Sequence, residues 1–332
     1  MNVSYADGKE LKLNQLGERN IIDEIFSTLS ISQEKDDCAV LRNGRDFLLL
    51  STDIIRQSTH IPEGSDPSLI GSFVANINLS DIAAMAGIPR GMLVSYLINP
   101  DSDDAYLRKI AESIDKELKK HGAEVLGGDT KEGDELVISG AIIGSQTGKL
   151  LRRRSDIRKH HIIGITNSLG RSAAGYIFNR TGYRKDLGTR MMLDVHARVR
   201  EAQIMSEHGA KFMMDLSDGL FASMFQMKHD YGIGFKIVED EIKFDRNVRK
   251  AAEISGLSST EIACSFGGDY ELFFSIENSS YRDFISAMES EKISVSFIGE
   301  AWNGDNIIFN GKEWSSVRNH GYEHFLGKPL QF

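Results

Sequence analysis

The sequence predicts a two-domain α/β protein with mixed sheets and flanking helices. Three observations lead there. A chain of 332 residues is long enough for two cores, each of ordinary domain size. From Asp36 to Gly144, short β-rich runs alternate with segments whose apolar residues recur at helical spacing. The run Gly148 to His161 then changes texture, with Arg152, Arg153, Arg154, Arg158 and Lys159 clustered, and the alternation resumes behind it. The expected division is therefore 1–148 and 149–332, with the same coarse order of strands, long helices and a Gly-Asp turn in each half.

In the first half, a polar arm leads into a short helix carrying Ile21, Ile22, Ile25 and Phe26. Cys38 to Leu41 and Phe47 to Leu50 read as two strands joined tightly around Asn43-Gly44. In an antiparallel hairpin, the end that carries Asp36 and Asp37 lies beside the end that carries Asp53. Asp66-Pro67 starts a helix, with Asp66 as N-cap. Ile70, Val74 and Ile77 give that helix an amphipathic pattern, and it stops near Gly87-Ile88-Pro89. Gly91 to Ile98 is a core strand. Leu107, Ile110, Ile114 and Leu118 mark a helix over 103–121, ended by Gly122. Val125-Leu126 leads into Gly127-Gly128-Asp129-Thr130, and Glu135 to Gly144 is another strand.

In the second half, Ile162 to Ile165 is a strand, and Asn167 to Gly175 is a Gly/Ser turn opening a helix. Helices are expected over 195–208, 220–229, 241–254 and 281–289. Strands are expected over 234–238, 270–276, 295–298 and 307–309, with loose polar sequence after Ile254.

Composition excludes several classes. Hydrophobic content of 41% with 26% charged residues fits an ordinary globular chain, and a formal net charge of −9 argues against a nucleic-acid surface. Cys38 and Cys264 form no C-x-x-C pair, so a reducing cytoplasm is expected. No apolar run reaches membrane-spanning length, and the polar start is unlike a signal peptide. Histidines are scattered without zinc-site spacing. Neither a P-loop nor the protein-kinase signature set is present.

What the sequence does repeat is an Asp beside a strand-like run or helix. The segments are Lys35-Asp36-Asp37-Cys38, Ser51-Thr52-Asp53, Asn78-Leu79-Ser80-Asp81, Gly127-Gly128-Asp129-Thr130 and Asp215-Leu216-Ser217-Asp218-Gly219. Acids that approach one another repel and oppose folding unless cations neutralise them. Magnesium is held by carboxylates and by the phosphates of its substrate. The acids are thus expected to converge on divalent cations and polyphosphate; the alternative is that each faces solvent by itself. His60 faces a substrate or is an exposed loop histidine. Arg154 contacts phosphate or coats a linker.

Taken together, Asp36-Asp37-Cys38-Ala39-Val40, Ser51-Thr52-Asp53 with His60, Asn78 to Met85, Gly127 to Thr130, Asp215 to Leu220, Asp269-Tyr270-Glu271-Leu272 and Gly321-Tyr322-x-His324-Phe325 resemble the thiamine-monophosphate kinase family. That family falls within the aminoimidazole ribonucleotide synthetase-like superfamily, and the resemblance spans nearly the whole chain. It implies phosphorylation of thiamine monophosphate to thiamine diphosphate by direct transfer from ATP, the co-substrate, with Mg2+. It implies metal positions at Asp37, Ser51, Thr52, Asp53, Asp81, Asp129, Asp215 and Asp218. Nucleotide contacts are implied at Gly128, Asp129, Arg154 and Ser217, and thiamine-phosphate contacts at His60 and Tyr322. It also implies a homodimer whose first domains pair into a barrel, with the active site in the cleft between domains. No general base is assigned, because alignment and charge neutralisation suffice for such a transfer. The alternative is another phosphotransferase or synthetase of the superfamily, acting on a different small phosphorylated substrate.

Three departures stand out. Ser32-Gln33-Glu34-Lys35 replaces the usual Gly-x-Gly, and Ala84-Met85-Ala86-Gly87 replaces Ala-Met-Gly-Ala. Gly268 stands where the family has a substrate-facing Glu. Asp269 is expected to take over that contact, or else to cap the loop before the following strand.

Overall fold

Asn43 and Asp46 pair across a two-residue turn, Gly44-Arg45, so the first hairpin forms where the sequence places it. Gly44 takes a φ of 64°, the left-handed conformation such a turn needs. The computed structural model describes residues 12–29 and 31–318. Two short helices, α1 (Leu13–Leu16) and α2 (Glu18–Thr28), precede the hairpin strands β1 (Ala39–Asn43) and β2 (Asp46–Arg56). Then come α3 (Gln57–His60), α4 (Pro67–Ala84), β3 (Ile88–Ile98), α5 (Asp104–Lys120), β4 (Val125–Glu132) and β5 (Val137–Thr147). The sheet order is β1-β2-β5-β3-β4, antiparallel except for the β3–β4 pair, which α5 joins as a crossover.

Helix α4 starts as expected: Asp66 Oδ1 accepts the Ser68 N–H at 2.7 Å, and Pro67 takes the first helical position. It is not amphipathic. Nearly every residue from Ile70 to Ala84 is buried, because the sheet, α5 and the second half of the chain cover it on different sides. Gly71 lets α5 approach to backbone contact, since a Cβ there would lie 2.2 Å from the Ile110 carbonyl oxygen.

The second half comprises β6 (Ile162–Thr166), α6 (Arg171–Thr181), α7 (Lys185–Leu193), α8 (Val199–Glu207), β7 (Ala210–Asp215), α9 (Leu220–Tyr231) and β8 (Gly234–Val238). After these come α10 (Val248–Ser255), α11 (Ser259–Ser265), β9 (Leu272–Ile276), α12 (Tyr281–Ser290), β10 (Val295–Trp302), β11 (Ile307–Phe309) and β12 (Trp314–Ser316). Its seven strands run in the order β12-β11-β8-β10-β6-β9-β7, mixed through the parallel β8–β11 pair.

Several boundaries differ from the sequence reading. The helix expected from Glu241 begins only at Val248, because Phe244 bridges to Leu169 and Asp245 Oδ1 accepts the Asn247 N–H at 2.8 Å. The polar stretch after Ile254 contains α11, capped by Ser258 Oγ accepting the Glu261 N–H. Helix α7 and strand β12 were not expected.

One apolar core runs from the first sheet through α4 into α8, β7, β9 and α12, so the two halves share it. A second lies within the later half, around the edge-to-face rings of Phe212, Phe235 and Phe273. The face of the first sheet away from α4 is different. Leu41, Leu50, Ile54, Leu93 and Leu126 stand exposed there, Ile54 at 62% and Leu93 at 50%. Among the described residues, no helix is long and apolar enough to cross a membrane.

Candidate active site

Four elements aim acids at one place. The register that pairs Ala39 with Leu50 brings the residues before β1 alongside Thr52 and Asp53. On β2 the side chains alternate, so Ser51 and Asp53 face α4 while Thr52 turns to the opposite face. The last turns of α4 supply Ser80 and Asp81, and β7 ends on Asp215. Carboxylate oxygens of Asp37, Asp81 and Asp215 lie within 4.8 Å of one another. Asp53 lies beside Asp81, close enough for each carboxyl group to act on the other. Hydroxyls orient the set: Ser51 Oγ donates to Asp81 Oδ2, and Ser80 Oγ donates to Asp215 Oδ2 at 2.7 Å.

The electrostatic cost is visible in the titration of these groups. Burial, then the nearby Asp37 carboxylate, pushes Asp215 up to about 8. Burial pushes Asp53 to about 6, and Asp81 goes well above the usual carboxylate range through burial and then Asp53, Asp215 and Asp37. Asp36 rises to about 6 by burial, partly offset by the Arg154 N–H. Among the described residues, the guanidinium that joins the cluster is that of Arg154. Its Nη2 and Nε donate to Asp37 Oδ1 and Oδ2 at 2.6 and 3.1 Å, and its backbone N–H donates to Asp36 Oδ1 at 2.7 Å.

Does this set fit a hard divalent cation? Every donor is oxygen, which suits magnesium. Asp36 Oδ2 is buried without a hydrogen-bond partner, with Arg153 Nη1 standing off at 3.7 Å. Cys38 offers no competing thiolate, since burial raises its pKa and its Sγ donates to the Asp81 carbonyl. The residues fit such an ion.

Other expected site residues lie elsewhere. Thr52 Oγ1 donates to the Gly140 carbonyl at 2.7 Å on the outer side of the sheet. Asp129 stands on the edge strand β4 and is not brought into the cluster. Its carboxylate is 68% exposed, accepting from the Thr130 N–H at 2.8 Å and Lys131 Nζ at 3.4 Å. Gly128, beside it, lies against the Val94 backbone, where a Cβ would come within 1.7 Å of the carbonyl oxygen. Ser217 and Asp218 are exposed in the turn between β7 and α9. His60 ends α3, and its Nδ1 accepts the Arg56 N–H at 3.1 Å. Tyr322 lies outside the described residues.

Asp269 holds the start of α6: its two carboxylate oxygens accept the Gly170 and Ser172 N–H groups at 2.5 and 2.9 Å. Burial nonetheless pushes it up to about 7. It also lines a cleft of about 210 Å³ together with Asn167, Arg171, His196, Arg198 and Glu271. Gly268 borders the same cleft with a φ of 88°, and a Cβ there would press on Ser172 Oγ at 2.6 Å.

The sequence reading missed four contributors. Ser80 holds Asp215, as described. Tyr270 adopts a φ of 51° and packs edge-on against Phe73 of α4, with its centroid 6.1 Å away. That turn ties the loop to the acids, because the Gly268 N–H donates to Ser217 O at 2.7 Å and the Leu216 N–H donates to Glu271 O at 2.8 Å. Glu271 also receives Arg198 through two contacts, at 2.5 and 2.8 Å, and Thr166 Oγ1 at 2.6 Å. Glu271 lies within the Asp269-Tyr270-Glu271-Leu272 run, whereas nothing in the sequence around Arg198 marks it. The loop that lacks Gly-x-Gly is held by side chains instead: Lys35 pairs with Asp23 and Asp230, and Ser155 Oγ donates to Glu34.

Comparison with known proteins adds ancestry to this geometry. The AIR synthase related protein N-terminal domain matches residues 35–146, and the corresponding C-terminal domain matches 158–312. The thiamine-monophosphate kinase of Pyrococcus horikoshii is 27% identical over 319 residues, covering 95% of this chain and 98% of that protein. Its counterpart in Aquifex aeolicus is 25% identical over 322 residues, covering 95% and 100%. Among solved structures, AaThiL complexed with AMPPCP and TMP matches with a TM-score of 0.84 at 23% identity, covering 95% of this chain and 99% of that one. A HypE–HypF complex matches with a TM-score of 0.76 at 19% identity, covering 90% and 99%. At these identities the structural likeness shows the fold.

Proposed function

The chain belongs to the AIR synthase related family, and from that premise we propose that it phosphorylates thiamine monophosphate to thiamine diphosphate, with ATP as donor. The observation that carries the reading is the meeting of Asp37, Asp81 and Asp215, drawn from both halves of the chain, in one buried cluster. The full-length curated relatives named for this activity support the choice of substrate.

In this reading Asp37, Asp53, Asp81 and Asp215, with Ser51, hold Mg2+, and Asp218 joins them from the turn beyond β7; the side chains of Thr52 and Asp129, expected in the set, leave the sheet from its other face and do not reach this ion within one chain. Bound magnesium supplies charge neutralisation between two mutually repellent phosphate compounds and polarises the transferred group. The chain's own residues do the positioning. Ser51 and Ser80 fix the orientation of Asp81 and Asp215, so few carboxylate rotamers remain to be frozen when ligands arrive. Gly128, Asp129, Arg154 and Ser217 face the nucleotide, and His60, Asp269 and Tyr322 face thiamine monophosphate. No side chain is needed as a base, since the acceptor is already an anionic phosphate.

The reading includes a homodimer, a domain boundary near residue 148 and a cytoplasmic location. The exposed row of Leu41, Leu50, Ile54 and Leu93 supports pairing of two first sheets face to face, because a second copy presents the same apolar surface. Thr52 and Asp129 lie on that outer face too, so pairing carries them to the seam between copies.

The test is product analysis of a panel of phosphorylated acceptors incubated with ATP and Mg2+. Thiamine diphosphate is the expected product, and Asp81→Asn is expected to abolish its formation while the circular dichroism spectrum stays unchanged. Transfer to another acceptor with thiamine monophosphate left untouched selects a different activity of the superfamily.

A further inference from the structure

We propose that Arg154 is a resident counter-cation that competes with the first divalent ion for Asp37, so that metal entry and release of the guanidinium are one event. This rests on the metal-dependent reading above and adds an order of events to it.

The geometry is specific. Arg154 spans both oxygens of Asp37 in a fork, and the carboxylate of Asp37 is 1% exposed. A magnesium ion needs oxygen at about 2.0–2.1 Å. On Asp37 it would stand within a few ångströms of the guanidinium, and like charges at that distance repel strongly where water is excluded. The two cations therefore compete for this carboxylate. The exchange would involve the side chain of Arg154 and not its backbone. Its backbone is fixed by the N–H bond to Asp36 Oδ1 and opens a single 3-10 turn, Arg154–Asp156.

Charge balance gives the exchange its direction. Asp36, Asp37, Asp53, Asp81 and Asp215 crowd one neighbourhood that holds a single buried guanidinium; the next, Arg153, is 3.5 Å from Glu34 and 3.7 Å from Asp36. Without metal, Arg154 is the counter-charge paired with Asp37. When a divalent ion replaces it, the freed guanidinium loses its fork, and the carboxylate left beside it outside the metal set, Asp36, already accepts its backbone N–H. An incoming phosphate supplies the missing partner, and a bidentate one. Ion and phosphate compound are then linked reciprocally through one side chain.

The test measures Mn2+ binding to full-length, EDTA-stripped protein without nucleotide, reading free Mn2+ by electron paramagnetic resonance. Arg154→Gln is expected to bind the first ion about tenfold more tightly than the unmodified protein, with Arg154→Lys in between, because a point charge lacks the fork. Binding equal to or weaker than that of the unmodified protein overturns the inference and leaves the metal reading standing. No binding by any of the three overturns both. A crystal of the unmodified protein soaked in Mn2+ decides the matter even if Arg154→Gln fails to fold: the inference expects Arg154 off Asp37, and an ion bound with both contacts kept refutes it.

Discussion

Asp215→Asn is expected to stabilise the metal-free protein while removing its activity. Asp215 is only 3% exposed, and its pKa of about 8 stands against an ordinary value of 3.8. At about 1.36 kcal/mol per unit, keeping it ionised at pH 8 costs the fold at most about 5 kcal/mol. An amide removes the charge and still accepts the Ser80 hydroxyl. Its new N–H groups meet Asp37 and Asp81, which lie within 4.8 Å. The acids share one field, so relief at one site is divided among them. The expected net gain is roughly 2 kcal/mol.

The sign with pH follows. The folded pKa is raised, so the native state keeps a proton that the unfolded chain releases; stability is intact below about pH 4 and is lost as pH rises toward 8. Urea unfolding in EDTA, followed by the fluorescence of Trp302 and Trp314, should therefore show a gap between variant and parent that is smallest near pH 4 and widest at pH 8. Magnesium should close the gap at pH 8 by stabilising only the parent. A variant less stable than its parent in EDTA at pH 8, or a gap that does not shrink in acid, refutes the account of a repelling acid cluster.

Two further substitutions probe the surface and the cleft. Leu93→Glu, on a side chain exposed in the protomer, should leave the fold intact and convert a dimer to a monomer by sedimentation; a dimer that persists excludes the sheet face as its interface. Asp269→Ala removes both capping contacts at the start of α6 and should cost about 1–2 kcal/mol of stability. If Asp269 also faces thiamine monophosphate, KM for that substrate rises in the same variant while KM for ATP does not.

Much of this was legible in the sequence because local rules carried it. Asn43-Gly44 fixed the hairpin register that brings Asp37 beside Asp53, and Asp66-Pro67 fixed the start of α4. The meeting of Asp215 with Asp81 was an expectation from repulsion and pattern, and the structure brings those two together. What escaped was non-local. The apolar spacing of α4 suggested one buried face, but the helix is enclosed because the second half packs where solvent was assumed. Arg198 and Glu271 meet across 73 residues of chain, and nothing in either neighbourhood announces it. Asp129 shares the motif grammar of the other acids, yet its strand lies at the sheet edge and its carboxylate stands in solvent. A motif records the residue type a site uses. It does not say which face of a sheet the residue leaves from.

The acid cluster also explains why the two halves are joined as they are. Carboxylates raised in pKa by burial and then by one another push the segments that carry them apart, and those segments belong to both halves. What opposes this is the apolar core that runs unbroken from the first sheet through α4 to β7 and β9. At about 25 cal/mol per Å² of apolar surface, a few hundred square ångströms at that seam offset several kcal/mol of repulsion. The loop after α11 adds backbone bonds at the point of greatest stress: Gly268 to Ser217 and Leu216 to Glu271 straddle the end of β7, and Tyr270 reaches Phe73 across the seam. Gly267 is required there, because a Cβ would lie 1.9 Å from the Ser217 carbonyl oxygen. An open seam would let the acids separate and hydrate singly. A closed one keeps them poised for cations, and the strain they exert on it is the binding energy that metal recovers.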